Sequence, residues 1–365
     1  MADVRVENLT KRFGEVVAVN DLSLEVKNKE FMVFLGPSGC GKTTTLRSIA
    51  GLEKPDEGEI YIDDVLVNDY SPADRDVAFV FQFYALYPHM TVYNNMAFPL
   101  KAVKMSKSEI DERVMDVAKV LQIEALLSRT PEKLSGGEMQ RVALGRAMVR
   151  RPKVFLMDEP LTNLDAKLRS EMRAELKRLQ RDIDATTIYV THDQLEAMSM
   201  GDKIAVINDG VTQQIGSPAE VYDHPASLFV AGFVGSPTMN LLDCVYMQEA
   251  GKSFLVVGEN DFRLEISDAL AKSIQDSASD PQLILGIRAE DIFVQEEAHE
   301  DVIQAEVYVV EPLGSENIID LKIGKNILKA KTLPTFHPNI GQAIKFCFDK
   351  DRMHVFDKKT EKAIS

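Results

Sequence analysis

The sequence has few cysteines and no long apolar run. Its three cysteines, Cys40, Cys244 and Cys347, lie far apart in a chain of 365 residues, a distribution that fits neither a disulfide framework nor a metal site built on paired cysteines. No apolar run approaches the ~18 residues that a membrane-spanning helix needs. The N-terminal stretch MADVRVENLTKRF lacks the apolar core of a secretion signal, so we expect the protein in the cytoplasm.

Basic residues are scarce relative to acidic ones. The chain carries 42 lysines and arginines against 57 aspartates and glutamates, a net charge of −15 at pH 7. Nonspecific binding to nucleic acid requires a basic surface, so this balance argues against that function and leaves room only for a local basic patch. The composition, 45% hydrophobic and 27% charged, is that of a soluble globular protein. The length allows two or three domains.

A glycine-rich loop follows a short apolar run. The stretch GPSGCGKTTT begins at Gly36, directly after FMVFL, and has the spacing G-x-x-x-x-G-K-T. Glycines let such a loop wrap with its N–H groups toward an anion, and a helix that begins near Lys42 would add its positive end. Lys42 would reach the nucleotide phosphates, and the Thr43 hydroxyl would ligate magnesium. The alternative is an ordinary strand-to-helix turn, with Cys40 either reactive or simply a small residue that fits.

The chain has two regions that differ in their pattern of apolar residues. Strand and helix signals alternate over residues 1–235, which predicts an α/β domain whose helical subdomain covers about 85–150. From GSPTMN onward, short alternating apolar runs separated by turn residues predict an antiparallel β-domain of barrel type over 236–365. Within that domain, EEAHED at 296–301 is expected to be a solvated loop.

A second motif ends in two acids. The apolar stretch VFLMDEP predicts a strand beside FMVFL in a parallel sheet, with Asp158 and Glu159 at its carboxyl end, where such sheets bind ligands. Asp158 would then lie near the magnesium, through water, and Glu159 would orient or activate the attacking water. The alternative is a strand that ends in solvated acids.

The stretch LSGGEMQRVALGRAM, from Leu134, offers a second anion site. Ser135, Gly136 and Gly137 would expose N–H groups at a helix N-terminus. One nucleotide does not need two such sites in one chain. A dimer would explain both, with each nucleotide held between the phosphate loop of one chain and this loop of the other. The alternative is a helix cap, because Ser135 and Glu138 have the spacing of a capping box; both interpretations can hold together.

These motifs together resemble the signature of ATP-binding cassette (ABC) ATPases. The family's other motif residues occur in order between residue 1 and about 233, and they are Phe13, Gln82, Asp165 and His192. The resemblance implies an α/β P-loop NTPase fold of ABC type that hydrolyses ATP with Mg²⁺. It implies nucleotide contacts for Phe13, Ser38, Gly39, Cys40, Gly41, Lys42, Thr43, Thr44, Gln82, Ser135, Gly137 and Asp165. It implies catalytic roles for Glu159, His192, Lys42 and Gln82, and metal contacts for Thr43, Gln82 and Asp158.

Each of these additional residues has a simpler interpretation. Phe13 would stack on adenine, or it is only a core aromatic. Gln82 would contact magnesium and respond to motion of the loop after it, or it is a polar loop residue. His192 would donate a hydrogen bond to charge that develops on the γ-phosphate, or it is a buried structural histidine.

A more specific resemblance covers nearly the whole chain. DRDVAFVFQFYALYPHMTVYNNMAFPL resembles sugar-importer cassettes, and GIRAEDI, VVEPLGSEN and HVFD resemble the appended β-domain of the maltose and multiple-sugar importer ATPases. This implies a C-terminal OB-like barrel and a homodimer docked beneath two membrane subunits at the cytoplasmic face of the membrane. The solute would be delivered by an extracytoplasmic binding protein. A helix of each membrane subunit would occupy a cleft formed in part by FYALYPHMTVY.

Two other functions are compatible with parts of the sequence, and three residues depart from the family pattern. A soluble ABC-type mechanoenzyme that acts on nucleic acid or ribosomes would typically carry coiled-coil insertions or basic arms, which this sequence lacks. The C-terminal domain would also suit a regulatory module that binds a small molecule or a protein. Glu138 stands where the family has glutamine, Thr162 where serine is usual, and Ala289 where proline is common. We expect Glu138 to point along its helix as a cap.

Overall fold

The chain folds into two compact units, one up to Pro218 and one from Ala219 onward. The computed structural model describes residues 2–162, 164–258, 261–295 and 302–364. The solvated loop expected at 296–301 therefore lies outside the described residues. The described helices include none with the length and hydropathy of a membrane span.

The first unit alternates strands and helices. Its strands are β1 (Val4–Phe13), β2 (Val16–Val26), β3 (Phe31–Leu35), β4 (Glu57–Ile62), β5 (Val65–Leu66), β6 (Val77–Val80), β7 (Val154–Asp158), β8 (Thr186–Thr191), β9 (Lys203–Asn208) and β10 (Val211–Gly216). Its helices are α1 (Lys42–Ala50), α2 (Val92–Ala102), α3 (Lys107–Val120), α4 (Gly136–Met148), α5 (Ala166–Ile183) and α6 (Gln194–Met200), with 3-10 turns at Glu124–Leu126 and Pro131–Lys133. The pattern confirms the predicted α/β class.

A mainly parallel sheet in the order β10-β9-β3-β8-β7-β6 forms the centre of this unit. All five residues of β3 and all five of β7 are buried, as expected for strands covered on both faces. The expectation that these two strands are neighbours is wrong, because β8 lies between them and pairs in parallel with both. The six residues of β8 are also buried, so this strand belongs at the centre of the sheet.

A second, antiparallel sheet has the order β2-β1-β4-β5. It lies against the central sheet through buried residues of β1 and β2 such as Val6, Leu22 and Leu24. The hairpin of β9 and β10 turns at Asp209 and Gly210, whose φ angles of 47° and 76° are those a two-residue turn of type I′ requires.

The predicted helical subdomain contains α2, α3 and α4, which pack against one another. Helix α3 begins with a capping box in which the Ser106 hydroxyl accepts from the Glu109 backbone and the Glu109 carboxylate accepts from the Ser106 backbone. Such a box satisfies two N–H groups that a helix start leaves unpaired. The apolar side of α3, with Ile110 and Val114 buried, faces its neighbours.

The second unit is built mainly of antiparallel strands. Its strands are β11 (Asn240–Glu249), β12 (Lys252–Val257), β13 (Phe262–Glu265), β14 (Gln282–Ile287), β15 (Ile292–Gln295), β16 (Ile303–Pro312), β17 (Asn317–Ile323), β18 (Asn326–Thr332), β19 (Ala343–Phe348) and β20 (His354–Asp357). Its helices are α7 (Pro218–Asp223), α8 (Leu228–Phe233) and α9 (Asp268–Ser277), with 3-10 turns at Ala289–Asp291 and Lys350–Arg352.

These strands form two sheets around one core. The sheets have the orders β13-β12-β11-β14-β20 and β15-β19-β16-β17-β18, and their buried side chains belong to one apolar cluster. The β-rich barrel-type domain is thereby confirmed, but α9 was not expected. Its helix signals were present in the sequence, since Ser267 caps its start and Ala271 and Ile274 are buried one turn apart.

The first compact unit ends at Pro218, whereas the predicted ATPase domain extends to residue 235. Arg288 shows how the intervening residues join the second unit. Its Nε donates to the carbonyl of Tyr222 at 3.2 Å and its Nη1 to that of Val234 at 2.8 Å. The guanidinium also lies 3.6 Å from the Tyr222 ring centroid. The boundary at 235 stays a prediction about the residues that the ATPase domain needs.

Candidate nucleotide site

The glycine-rich loop has the geometry of an anion cradle. Helix α1 begins at Lys42, as predicted, and Gly41 at its N-terminus has a φ of 101° and supplies no side-chain cap. A Cβ at Gly41 would collide with the carbonyl oxygen of Ala18, so only glycine fits. The first N–H groups of α1 are thus left for an anion. Ser38 and Gly39 are exposed beside them.

Lys42 is buried at the base of this loop. Its Nζ donates to the backbone carbonyls of Gly36 and Pro37, both at 2.8 Å, although the residue is only 4% exposed. Among the described residues, no carboxylate lies within ion-pair distance of this ammonium. A buried charge without a counter-ion is costly. The loop therefore holds a positive charge that a bound anion would neutralise.

Cys40 lies against the same ammonium, with its Sγ 3.7 Å from Lys42 Nζ. Burial raises the pKa of the Cys40 thiol, and the nearby Lys42 charge offsets this only in part. The reactive species of cysteine is the thiolate. The structure therefore favours the simpler interpretation of Cys40 as a small residue that fits the loop.

Thr43 and Asp158 join the loop to β7. The Thr43 Oγ1 donates to Asp158 Oδ1 at 2.8 Å, and Asp158 is 5% exposed. Burial raises the pKa of the Asp158 carboxyl, and the hydrogen bond from Thr43 acts in the opposite direction. A hydroxyl and a carboxylate thus lie side by side at the end of the helix that faces the loop. Asp158 is not the solvated strand-end acid of the alternative interpretation.

Glu159 stands at the centre of a group of polar side chains. Its φ is 43°, and its N–H donates to the Val190 carbonyl at 3.0 Å. One carboxylate oxygen, Oε1, is 3.2 Å from His192 Nδ1. The other, Oε2, accepts from Gln82 Nε2 and from Thr162 Oγ1, each at 3.2 Å. The left-handed backbone of a non-glycine residue, which is rare, aims this carboxylate at the sheet edge.

The sheet explains how residues distant in sequence meet here. Gly36 follows β3, Gln82 follows β6 after one residue, Asp158 ends β7 and His192 follows β8. The carboxyl ends of these parallel strands share one edge, the usual ligand edge of such sheets. The His192 side chain is 49% exposed, so the interpretation as a buried structural histidine is wrong.

Phe13 ends β1 and is exposed rather than buried in the core. It is 48% exposed and pairs across the hairpin with Val16, which is 65% exposed. Lys11 Nζ lies 5.3 Å from the Phe13 ring centroid. The core interpretation is therefore wrong, and the aromatic face is accessible to a flat ligand. Its role against adenine stays a prediction.

The second glycine loop forms a capped helix start. The Ser135 hydroxyl accepts from the Glu138 N–H at 3.3 Å, while the Ser135 N–H donates to Glu138 Oε2 at 2.7 Å. This capping box confirms the expected orientation of Glu138, and the Ser135 N–H lowers the pKa of that carboxyl. Gly137 is buried, and a Cβ there would collide with Leu168 at the start of α5.

Asp165 caps the next helix. Its carboxylate accepts from the Leu168 N–H at 3.0 Å at the start of α5. In the described part of the chain, the hydrogen bonds of Asp165 and Ser135 stay within their own helix starts and do not reach the phosphate loop. The structure thus presents two separate helix N-termini, which the dimer hypothesis requires.

Arg146 is a residue of this region that the sequence did not reveal. From α4 its Nη1 donates to the Ala85 carbonyl at 2.6 Å and its Nη2 to the Tyr84 carbonyl at 3.1 Å. Tyr84 and Ala85 have φ angles of 53° and 48°, so the loop after Gln82 is held in a conformation that is unfavourable for non-glycine residues. A contact across 61 positions has no local sequence signal.

A cavity of about 560 Å³ adjoins this loop. Ala85 and Tyr87 from the aromatic run line it, together with Phe98 of α2 and Arg146 of α4. The Tyr87 and Phe98 ring centroids are 4.8 Å apart, and Phe98 is 41% exposed. The cavity thus has an aromatic wall that is accessible to another molecule.

A phosphate loop, an acid-ended strand beside it and a separate capped glycine loop define an ATP-binding cassette. Comparison with known sequences agrees: the profile of the ABC transporter family matches residues 19–162, that of the MalK OB fold domain 235–292 and that of the TOBE domain 285–356.

Individual relatives extend over the whole chain. The trehalose/maltose import ATP-binding protein MalK of Thermococcus litoralis is 54% identical over 100% of both chains, and the oligosaccharides import ATP-binding protein MsmX of Bacillus subtilis 47% identical over 99% of both. A solved ATP-binding cassette, dimeric in a post-hydrolysis state with ADP and Pi, aligns with a TM-score of 0.54 and 35% identity over 59% of this chain and 98% of that one.

The chain belongs to the sugar-importer family of ABC transporter ATP-binding subunits. It binds ATP, and hydrolysis of that ATP drives import. Subunits of this kind work with membrane permeases and dimerise as cassettes. The alternative of a mechanoenzyme on nucleic acid or ribosomes finds no support among the relatives.

Proposed function

We propose that two copies of this chain enclose two ATP–Mg²⁺ units and power the uptake of a carbohydrate through two membrane subunits. The observation that carries the proposal is the position of the Glu159 carboxylate, 3.2 Å from both Gln82 Nε2 and His192 Nδ1 at the ligand edge of the sheet. Asp158 and Thr43 lie beside it, and the helix start of the phosphate loop faces the same edge.

The residues present fit a magnesium ion. Mg²⁺ prefers oxygen ligands and usually keeps several waters besides one or two protein groups and the substrate phosphates. The Thr43 hydroxyl and the Asp158 carboxylate are such oxygens and lie 2.8 Å apart. Thr43 and Gln82 are the proposed ligands, with Asp158 acting through water. When bound, the ion would neutralise charge on the phosphates.

The other residues divide the remaining tasks. The Lys42 ammonium and the N–H groups of the loop, from Ser38 to Thr44, hold the phosphates. Glu159 is the group that orients and deprotonates the attacking water. His192 donates a hydrogen bond to the γ-phosphate as its negative charge grows. Phe13 stacks on the adenine.

The second chain completes the site. Ser135 and Gly137 of one copy face the nucleotide on the phosphate loop of the other, with Asp165 at the contact between copies. This assignment uses both helix N-termini, that of α1 and that of α4. Closure on ATP and reopening after hydrolysis would then move the loop that follows Gln82.

The membrane partners follow from the aromatic-walled cavity. We assign it to a helix of each permease subunit, so that motion of the loop held by Arg146 reaches the permease. The protein then works at the cytoplasmic face of the membrane, and an extracytoplasmic binding protein supplies the solute. Relatives are named for trehalose/maltose and for oligosaccharides, which supports a saccharide. The C-terminal unit is proposed as a dimerisation and regulatory module.

The mass of purified Glu159→Gln in solution tests this proposal, measured with and without ATP and Mg²⁺. We expect an ATP-dependent dimer with almost no hydrolysis, and loss of that dimer when Ser135→Arg is added. Brisk hydrolysis by Glu159→Gln would overturn the role of Glu159. If the protein stays monomeric while saturated with ATP, the proposal that two isolated subunits share the nucleotide site would be wrong.

A further inference from the structure

A concave surface of the first unit lies outside the nucleotide site, between α5 and α6. It encloses about 870 Å³. The charged residues of the α5 wall are Arg173, Lys177, Arg178, Arg181 and Asp182, and the α6 wall carries Leu195 and Met198. We call this surface the α5–α6 groove.

The α5 wall is basic in an acidic protein. Residues 166–183 contain six basic and three acidic side chains, whereas the whole chain has a net charge of −15. Lys177 is compensated, because its Nζ contacts Asp202 Oδ1 at 2.6 Å and the Met200 carbonyl at 2.7 Å. For Arg173 and Arg181, the described residues provide no hydrogen bond or ion pair to the guanidinium. Two unpaired cations therefore face the groove.

The two unpaired cations lie on one side of α5. Arg173, Lys177 and Arg181 are successive i, i+4 positions, so Arg173 and Arg181 lie about 12 Å apart along the helix axis. Arg178 and Asp182 line the same groove, and their charges offset each other because Arg178 Nε lies 3.5 Å from Asp182 Oδ2. Arg173 and Arg181 therefore carry the unbalanced positive charge of this wall.

The α6 wall adds apolar surface. Leu195 is 67% exposed, whereas Ala197 and Met200 of the same helix are buried. Met198 lines the groove beside it. The groove therefore has an apolar wall opposite two unpaired cations. A ligand that fits it needs one apolar side and one negatively charged side.

We propose that the α5–α6 groove docks an acidic amphipathic helix of a partner protein. Such a helix would place carboxylates about two turns apart against Arg173 and Arg181, and its apolar side against Leu195 and Met198. Charge complementarity steers such encounters, and the apolar contacts hold the complex. A nucleic acid would leave Leu195 and Met198 against phosphates. A flat bilayer would not follow a concave surface.

The test uses the full-length protein and a synthetic helical peptide of 16 residues. The peptide carries glutamates at i, i+4 and i+8 with leucines on the adjacent stripe, and its control replaces those glutamates by glutamine. We expect saturable binding of the acidic peptide alone, weakened as salt rises. Hydrogen exchange should become slower in α5 and α6 of the complex.

The decisive variant is Arg173→Glu with Arg181→Glu. It should weaken binding at least about tenfold, because two attractive contacts become repulsive. Lys107→Glu with Lys272→Glu makes the same change in net charge on other exposed helix positions and should bind as the unaltered protein does. If the double reversal impairs folding, Arg173→Gln with Arg181→Gln serves instead and should weaken binding several-fold.

Three results would overturn the proposal. The first is equal binding of the glutamate and glutamine peptides. The second is an equal loss of binding in the Lys107 and Lys272 variant, which would mean a general charge effect. The third is binding of anionic phosphatidylglycerol vesicles through Arg173 and Arg181 when the peptide does not bind, since the surface would then belong to the membrane.

Discussion

The Thr162 hydroxyl donates to Glu159 Oε2 at 3.2 Å, the same oxygen that accepts from Gln82. Thr162 stands where the family usually has serine, so this chain keeps the hydroxyl and adds a methyl group. A hydrogen bond to a charged group is worth about 1.5–3 kcal/mol. The contact therefore positions the carboxylate that we assign to the attacking water.

Replacement of this hydroxyl should slow hydrolysis. We expect Thr162→Val to lower kcat about tenfold or more, with little change in KM for ATP, because the hydroxyl contacts Glu159 rather than the nucleotide. Thr162→Ser keeps the hydroxyl and should restore kcat. An unaltered kcat in Thr162→Val would show that the contact is dispensable.

Arg146 should determine the order of the loop after Gln82. Arg146→Leu removes the donors to the Tyr84 and Ala85 carbonyls and leaves the two left-handed residues unsupported. One of these bonds is exposed and the other partly buried, so the loss of each costs about 0.5–1.5 kcal/mol. We expect faster hydrogen exchange at 82–87 and a lower Tm.

A lysine at position 146 would supply a charge without the fork of two nitrogens. Arg146→Lys should therefore recover part of the Tm and little of the exchange protection. In a reconstituted transporter, Arg146→Leu should retain ATP hydrolysis and lose much of its coupling to transport. Slow exchange at 82–87 in that variant would show that the loop conformation does not depend on this guanidinium.

Local patterns predicted much of the site, and pairings distant in sequence were not predictable. Gly41 and Lys42, the capping box of Ser135 and the acid end of β7 depend on residues within a few positions of one another. The place of β8 between β3 and β7 depends on which strands meet after long crossovers. The hydrogen bonds from Arg146 to the loop after Gln82 depend on how α4 packs. No spacing of neighbouring residues in the sequence predicts this packing.

Asp158 should make the nucleotide-free protein less stable as the pH rises. Burial raises the folded-state pKa of this carboxyl above its unfolded value. Its stabilising contribution is therefore complete below the unfolded pKa and is lost as the pH rises through the folded pKa. Asp158→Asn, which cannot ionise, should raise the Tm at pH 7 and lose that advantage toward pH 4.

Thermal unfolding between pH 4 and 8 without nucleotide checks this, within the range that the protein tolerates. Asp165→Asn is the matched control, because asparagine caps a helix as well as aspartate does. The difference in Tm between Asp165→Asn and the unaltered protein should not depend on pH in the way expected for Asp158→Asn. Asp158→Asn should also lose Mg²⁺-dependent hydrolysis. A Tm advantage that is independent of pH would show that ionisation of Asp158 is not the cause.

The contribution of Glu138 to stability should depend on pH in the opposite sense to that of Asp158. The Ser135 N–H lowers the pKa of this carboxyl, so its stabilising effect is present above the unfolded pKa and is lost as the pH falls through the folded pKa. Glu138→Ala removes half of the capping box and should cost about 0.5–1 kcal/mol at pH 7. At low pH the two proteins should converge in Tm.

Glutamine, the usual residue of the family at this position, can form the same box. Glu138→Gln should therefore keep most of the stability. Its ATP turnover should match that of the unaltered protein, because the carboxylate is directed at the Ser135 N–H at 2.7 Å rather than toward a bound phosphate. Steady-state hydrolysis decides this, with Glu138→Ala as the comparison. A several-fold gain in turnover with glutamine would mean that the negative charge of Glu138 does repel the nucleotide of the facing copy.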